Sequence, residues 1–298
     1  MAYQKKNATG VIYHLKGNKM MKIMLFAAIT LLSSPVLAAD VTLCSGRPQG
    51  IYDNIMQTVG NELQGNGHTV TVLNLKGSEA ILNALNTGQC AYGPAQKDVY
   101  YKMTKQSPAL NANLIPVNVL YNEVMQMFCS ESSGIDELEE IDETTTVITD
   151  SLGSGSAISW EAMVAIEKEH GGEDDWTKAQ ISFTPLDEAQ ASIALGNADC
   201  AFGVGGIGTP WANTLNESGT IPVYIYDGDL NDLVVGKSPL YTPTRVAKAQ
   251  SGYSTKFDTY LIPAVLFRSQ KAGQIDPQVD SIVKRLAGQV GNKYNTIK

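Results

Sequence analysis

Ser151-Leu152-Gly153-Ser154-Gly155-Ser156 runs directly into a helix-period stretch from Ala157 to His170. Small residues at a helix start let the backbone approach a ligand closely. The first-turn N–H groups have no partner inside the helix and lie at the positive end of its dipole, so the pattern suits an anion. Ser154 and Ser156 serve equally well as N-caps. Arg47, in the turn Ser45-Gly46-Arg47-Pro48-Gln49-Gly50, carries a guanidinium able to grip a carboxylate with two hydrogen bonds, or simply to sit solvated in its loop. Tyr52 and Gln96 add a hydroxyl and an amide that could orient a small polar ligand or lie on the surface.

Other chemistries find little support. Gly203-Val204-Gly205-Gly206-Ile207-Gly208 lacks the spacing of a dinucleotide turn and ends in Thr209-Pro210. Gly153-Ser154-Gly155-Ser156 lacks that of a nucleophile elbow, and the nearest histidine, His170, is at the far end of the helix. The acidic run Asp136 to Glu143 has no turn glycines and reads as a solvated linker rather than a calcium loop. No C-x-x-C pair occurs, and beyond residue 38 only His68 and His170 remain, which disfavours zinc and thioredoxin-like redox chemistry. We assign no catalytic residue, no metal and no cofactor.

The elements that must position these groups alternate between strand and helix. Strands are expected at Asp40 to Cys44, Thr69 to Leu75 and Cys90 to Pro94, with helices from Ile51 and from Ser78 to Asn86 between them. A second round follows: strands at Val147 to Asp150, Ile181 to Thr184 and Cys200 to Val204, with helices at Ala157 to His170, ending at Gly171-Gly172, and at Leu186 to Leu195. The rounds match in sequence at an offset of 110, where Cys90-Ala91-Tyr92-Gly93 answers Cys200-Ala201-Phe202-Gly203. Two apolar crossing strands, Val124 to Cys129 and Thr259 to Phe267, join them. The expected fold is two similar α/β lobes with mostly parallel sheets on a two-strand hinge, and a cleft at the carboxyl ends of the strands.

Charge and cysteine usage place the chain. The formal charge is −8, but the first 38 residues hold five Lys and no acid, so the remainder carries 17 basic and 30 acidic side chains, or −13. That balance argues against nucleic-acid binding. Lys22, the apolar run Ile23 to Leu32, the break at Ser33-Ser34-Pro35 and the small residues ending at Ala38 read as a secretory signal cleaved near Ala38. The run is too short for the about 20 residues that span a bilayer. Residues 1 to 20 read as an upstream extension. An even count of four cysteines in an exported chain favours two disulfides, with three pairings possible.

Several short motifs, in order and spanning nearly all of the chain beyond the signal, carry a resemblance. They are Gly50-Ile51-Tyr52, Asn74-Leu75-Lys76-Gly77-Ser78, Ala95-Gln96-Lys97-Asp98-Val99, Ser133-Gly134-Ile135, Gly153-Ser154-Gly155-Ser156, Ala201-Phe202-Gly203-Val204-Gly205-Gly206 and Ile262-Pro263-Ala264-Val265-Leu266. The chain resembles the TAXI-type solute-binding proteins of TRAP transporters, which have the type II periplasmic-binding-protein fold. The resemblance implies a monomeric periplasmic receptor, not an enzyme. It would close on a small carboxylate-bearing solute such as glutamate, glutamine or a dicarboxylate, and deliver it to sodium-coupled membrane subunits. Carried over by position, Tyr52, Gln96, Ser154, Gly155, Ser156, Gly205 and Gly206 would face the cleft, with Arg47 and Gly50 in the first loop beside them. Arg47-Pro48-Gln49, Pro94 in the third strand and the four cysteines depart from the family pattern.

The same resemblance implies lobes at 39–125 and 126–258, with 259–298 returning to the first lobe as a crossing strand and a C-terminal helix. It also implies the pairings Cys44–Cys90 and Cys129–Cys200, each joining neighbouring strands of one lobe. Two other functions compete. An inorganic-anion or phosphonate receptor would lean more heavily on the Ser/Gly helix start. An exported enzyme on the same bilobal fold would be favoured by a buried Asp or Lys aimed into the cleft.

Overall fold

The computed structural model describes residues 38–295, apart from 171–173, 232, 236–237, 249–251 and 254. The expected signal, the upstream extension and the Gly171-Gly172 helix end lie outside the described residues. β1 (Asp40–Ser45), α1 (Ile51–Gly65), β2 (Thr69–Asn74), α2 (Ser78–Thr87) and β3 (Tyr92–Gln96) form the first round, followed by α3 (Lys97–Gln106) and α4 (Leu110–Asn113). β4 (Leu114–Ser130) crosses to the second round, made by β5 (Thr146–Ile148), α5 (Gly155–His170), β6 (Gln180–Ser182), α6 (Ala189–Ala194) and β7 (Cys200–Gly205). Next come α7 (Pro210–Asn216), β8 (Thr220–Pro222), the small hairpin β9 (Val234–Val235) and β10 (Ser238–Pro239), β11 (Thr242–Val246), the returning strand β12 (Phe257–Ser269) and α8 (Pro277–Gly291).

Apart from the β9–β10 hairpin, the described strands form one sheet in the order β2-β1-β3-β12-β4-β7-β5-β6, with β11 paired to β12 and β8 to β4. β2, β1 and β3 are mutually parallel, as are β6, β5 and β7, so each round has the same right-handed βαβαβ winding. The long strands β4 and β12 run antiparallel at the centre and belong to both halves. This is the expected pair of lobes on a two-strand hinge.

The strand period of two explains the layering. Val41 and Leu43 of β1 face α1 and α8, whereas Cys44 faces α2. In the other half Cys200 and Phe202 of β7 pack with Trp160 and Met163 of α5, and Ala201 faces α6 and α7. β12 serves all four layers in turn: Tyr260 and Ile262, then Leu261, then Ala264 and Leu266, then Val265 and Phe267.

The internal match at offset 110 has a packing cause. Tyr92 and Phe202 are both fully buried on equivalent strands. Neither following glycine has room for a side chain. A Cβ on Gly93 would lie 2.8 Å from the Cys44 and Ile81 side chains, and one on Gly203 would lie 2.6 Å from Trp211. The disulfides are Cys44–Cys90 and Cys129–Cys200, the latter joining directly opposed residues of β4 and β7.

The structure departs from the sequence reading in three places. β4 is 17 residues long and begins at Leu114, not Val124. Its first half, mostly apolar but interrupted by Asn118, Asn122 and Glu123, pairs with β12 from Leu114↔Ser269 onward. The helix expected from Leu186 to Leu195 starts as a 3₁₀ turn at Leu186–Glu188. The acidic stretch near 140 is not a free linker, because Leu138 and Ile141 are buried and Glu137 and Glu140 form a capping box over the turn between them. Among the described residues no helix is long and apolar enough to cross a membrane.

Candidate functional site

The loops after β1, β2, β3, β5 and β7 meet around a cavity of about 260 Å³ between the two halves of the sheet. All nine residues expected to face a cleft line it: Arg47, Gly50 and Tyr52 from the first loop and α1, Gln96 from the end of β3, Ser154, Gly155 and Ser156 from the start of α5, and Gly205 and Gly206 from the end of β7.

Asp53 shapes the first loop. Its buried carboxylate accepts hydrogen bonds from Gln49 N (2.8 Å), Asn74 Nδ2 (2.8 Å), Ser45 Oγ (3.2 Å) and Gln57 Nε2 (3.2 Å). Burial alone would raise its pKa, but these donors more than offset it and hold the group below the usual carboxylate range. The loop so tied places Gln49 at φ 65° and swings Arg47 across the cleft. There Nη2 of Arg47 donates to both carboxylate oxygens of Asp150 at 3.1 Å. Asp150, at φ 71°, stands near the start of the strand-to-helix loop of the opposite half, two residues after β5. Arg47 therefore bridges the two halves through a protein carboxylate instead of offering a bare guanidinium to the cavity.

The Ser/Gly turn combines capping with close approach. Ser154 Oγ accepts from Ala157 N (3.1 Å), a helix cap, and Ser156 Oγ accepts from Val204 N (3.0 Å), fastening α5 to β7. Gly155 is required sterically, since a Cβ there would overlap Gln96 Oε1. Gln96 is itself held, accepting from Ser78 Oγ (3.3 Å) and donating through Nε2 to Ser159 Oγ (3.4 Å) on α5. Ser159 in turn donates to the buried Asp98 at 2.5 Å. Burial pushes the Asp98 carboxyl up to about 6, against the hydrogen bonds from Ser159, Val99 N and Tyr241.

A second carboxylate lies in the cavity wall. Glu123, on β4 at the hinge, is buried and accepts from Tyr121 Oη (2.8 Å) and Tyr52 Oη (3.2 Å). Burial pushes it up to about 7, although both tyrosine hydroxyls favour the ionised form. The phenols are driven well above their ordinary range, first by burial and next by the charge of Glu123.

The lining thus holds two cations, Arg47 and Lys76, against three carboxylates, Glu123, Asp150 and Asp187. Carboxylates outnumber cations in the wall, and Arg47 is already paired with one of them. Sequence reasoning missed Glu123, Tyr121, Ser78 and Asp150. One signal was available: Tyr121 and Glu123 stand two apart just before the mostly apolar stretch Val124 to Cys129, which puts both on one face of a strand.

No family model matches the chain, and no curated protein matches it. Among solved structures the chain is similar to the periplasmic aliphatic sulphonate binding protein SsuA from Escherichia coli. The two share 14% identity and a TM-score of 0.51 over 85% of this chain and 72% of that one. It is similar also to the alkanesulfonate-binding protein SsuA from Xanthomonas axonopodis pv. citri bound to MOPS, at 14% identity and TM-score 0.50, covering 84% and 72%. With the sheet order and the interlobe cavity, these likenesses give the chain the bilobal α/β fold of the periplasmic binding proteins.

Proposed function

We propose that the chain is an exported solute-binding receptor of a TRAP transporter, of the TAXI type. In this reading it captures an amino acid such as glutamate or glutamine between lobes 39–125 and 126–258 and passes it to sodium-coupled membrane subunits. It acts as a periplasmic monomer once cleaved near Ala38. The family motifs of the sequence support the subtype, and the fold accommodates them.

The observation that carries the choice of solute is Glu123. A buried carboxylate in the cavity wall, held by two phenol donors, is the natural counter-ion for an ammonium group. The α5 start, with Ser154, Gly155 and the backbone donors around them, is the natural place for the carboxylate of the same molecule. A dicarboxylate without an amino group, a phosphonate or an inorganic anion would bring no ammonium to offset Glu123. Asp98 and Glu123 answer in part the description of an enzymatic acid. Yet Glu123 has both oxygens on tyrosines, and Asp98 does not line the cavity, so we infer capture without chemistry.

A thermal-shift and calorimetry screen tests this. Glutamate or glutamine at 100 times its dissociation constant should add about 2.7 kcal/mol of stability. Succinate, phosphate and an alkanesulfonate should give little or nothing. If phosphate or the sulfonate shifted the melt and no amino acid did, the inorganic-anion reading would replace ours. Ligand recovered chemically changed after incubation would restore the enzyme reading.

A further inference from the structure

The turn Asp227-Gly228-Asp229-Leu230-Asn231 carries oxygen-bearing side chains at its first, third and fifth positions. That is the alternation by which a calcium loop presents its first three side-chain ligands. Folding brings Glu167, from the last turns of α5, to the same place, and carboxylate oxygens of Glu167, Asp227 and Asp229 all lie within 4.8 Å of one another. None of these residues lines the interlobe cavity.

Two of the three acids are buried and the third, Asp229, is partly exposed. Glu167 is 1% exposed and Asp227 8%. Oε2 of Glu167 is buried without a hydrogen-bond partner, and so is Oδ1 of Asn231. Asn231 directs its Nδ2 to Tyr226 Oη (3.4 Å), which leaves the carbonyl oxygen as the unmatched end of the amide. Among the described residues no Lys, Arg or His forms an ion pair with any of the three acids. The turn itself is well held. Asp229 N donates to Asp227 Oδ1 (2.8 Å), and Tyr260 Oη both accepts from Asp227 N (3.1 Å) and donates to Asp227 O. Buried acceptors left without donors are rare in native proteins, and like charges this close and mostly buried repel one another. One cation would resolve both. Every donor atom is oxygen, none is nitrogen or sulfur, and the donors come from a turn and a remote helix. This chemistry fits a hard ion of high coordination number better than zinc or the tight octahedron of magnesium.

We propose that Glu167, Asp227, Asp229 and Asn231 form a structural calcium site, separate from the solute cavity, that fastens the C-terminal part of α5 to the 227–231 turn. The turn lacks the later ligands of a complete calcium loop, so its spacing alone does not mark a site. The acid that completes the cluster comes from Glu167, far along the chain.

The test uses the purified protein stripped with a chelator and then freed of it, titrated with calcium chloride or magnesium chloride by calorimetry and followed by thermal melts. We expect one calcium per chain, with a dissociation constant of about 10⁻³ M or tighter, the range of extracellular calcium modules, and a raised melting temperature. Magnesium should bind at least about tenfold more weakly. Asp229→Asn and Glu167→Gln should each weaken calcium binding at least about tenfold. Without calcium both variants should melt no lower than the stripped wild type, because each removes a repelling charge, and this doubles as the folding control. Amino-acid binding, measured separately, should be unchanged in both variants whether or not the proposed solute is right. Absence of calcium heat and melt shift in the wild type up to about 10 mM would overturn the site, as would wild-type calcium affinity in both variants. Equal affinity for magnesium would overturn the assignment to calcium.

Discussion

Glu123→Gln separates the energetics of the cavity wall from its role in recognition. The variant keeps the shape of the side chain and its contacts with Tyr52 and Tyr121, whose hydroxyls can rotate to meet an amide, and removes only the charge. In the folded protein burial raises the carboxyl from its ordinary value to about 7. Between that ordinary value and pH 7 the native state therefore binds more protons than the unfolded chain, and stability falls as pH rises through the window. A difference of about 2.5 units corresponds to about 3 kcal/mol, a cost absent below the ordinary carboxylate range and complete above pH 7. Urea unfolding curves for wild type and variant should therefore coincide near pH 4 and diverge through neutrality, with the variant the more stable by about 3 kcal/mol at pH 8. Comparing the two proteins cancels other titrating groups such as Asp98. At pH 8, where Glu123 is ionised, the variant should bind amino acids more weakly, by about thirtyfold or more, since removing one partner of a buried charge pair costs about 2–5 kcal/mol. Stability curves that stay parallel from pH 4 to 8 would refute the account of a costly buried charge. Divergent curves with unchanged amino-acid affinity would leave that account intact and refute the ammonium reading.

Three further outcomes follow from the same geometry. Gly155→Ala should weaken solute binding at least about tenfold in calorimetry, because its Cβ displaces Gln96, and Gln96→Ala in the same background should recover part of the loss. Arg47→Ala and Asp150→Ala should reduce solute affinity to similar, modest extents, with the double variant no worse than either alone, if the pair acts as a bridge across the cleft; its direct coupling at a half-exposed site is about 0.2–1 kcal/mol. A far larger loss for Arg47→Ala alone would mean that the guanidinium grips the solute. Replacing Cys129 and Cys200 by serine should cost about 4 kcal/mol in urea unfolding through the lost closure of a long loop. Peptide mapping without reductant should recover 44–90 and 129–200 and no other pair.

Much of this protein is written locally. Helix and strand periods depend on residues a few positions apart, so α1, β1, α2, α5 and β7 fall close to where periodicity places them, and two matching βαβαβ rounds already imply two lobes and a cleft at the strand ends. The turns at Ser45–Gly50 and Ser151–Ser156 could be assigned to that cleft for the same reason. The character of the cleft was not local. Tyr52 and Glu123 are 71 residues apart, and Arg47 and Asp150 103 apart. Whether an arginine meets a solute or a carboxylate is settled only when two loops from different halves are brought together. The first half of β4 likewise takes its ladder partner from β12, far along the chain. Residue type and spacing told where a ligand could sit; burial and long-range partners, which exist only in the folded chain, decided the charge it would meet there.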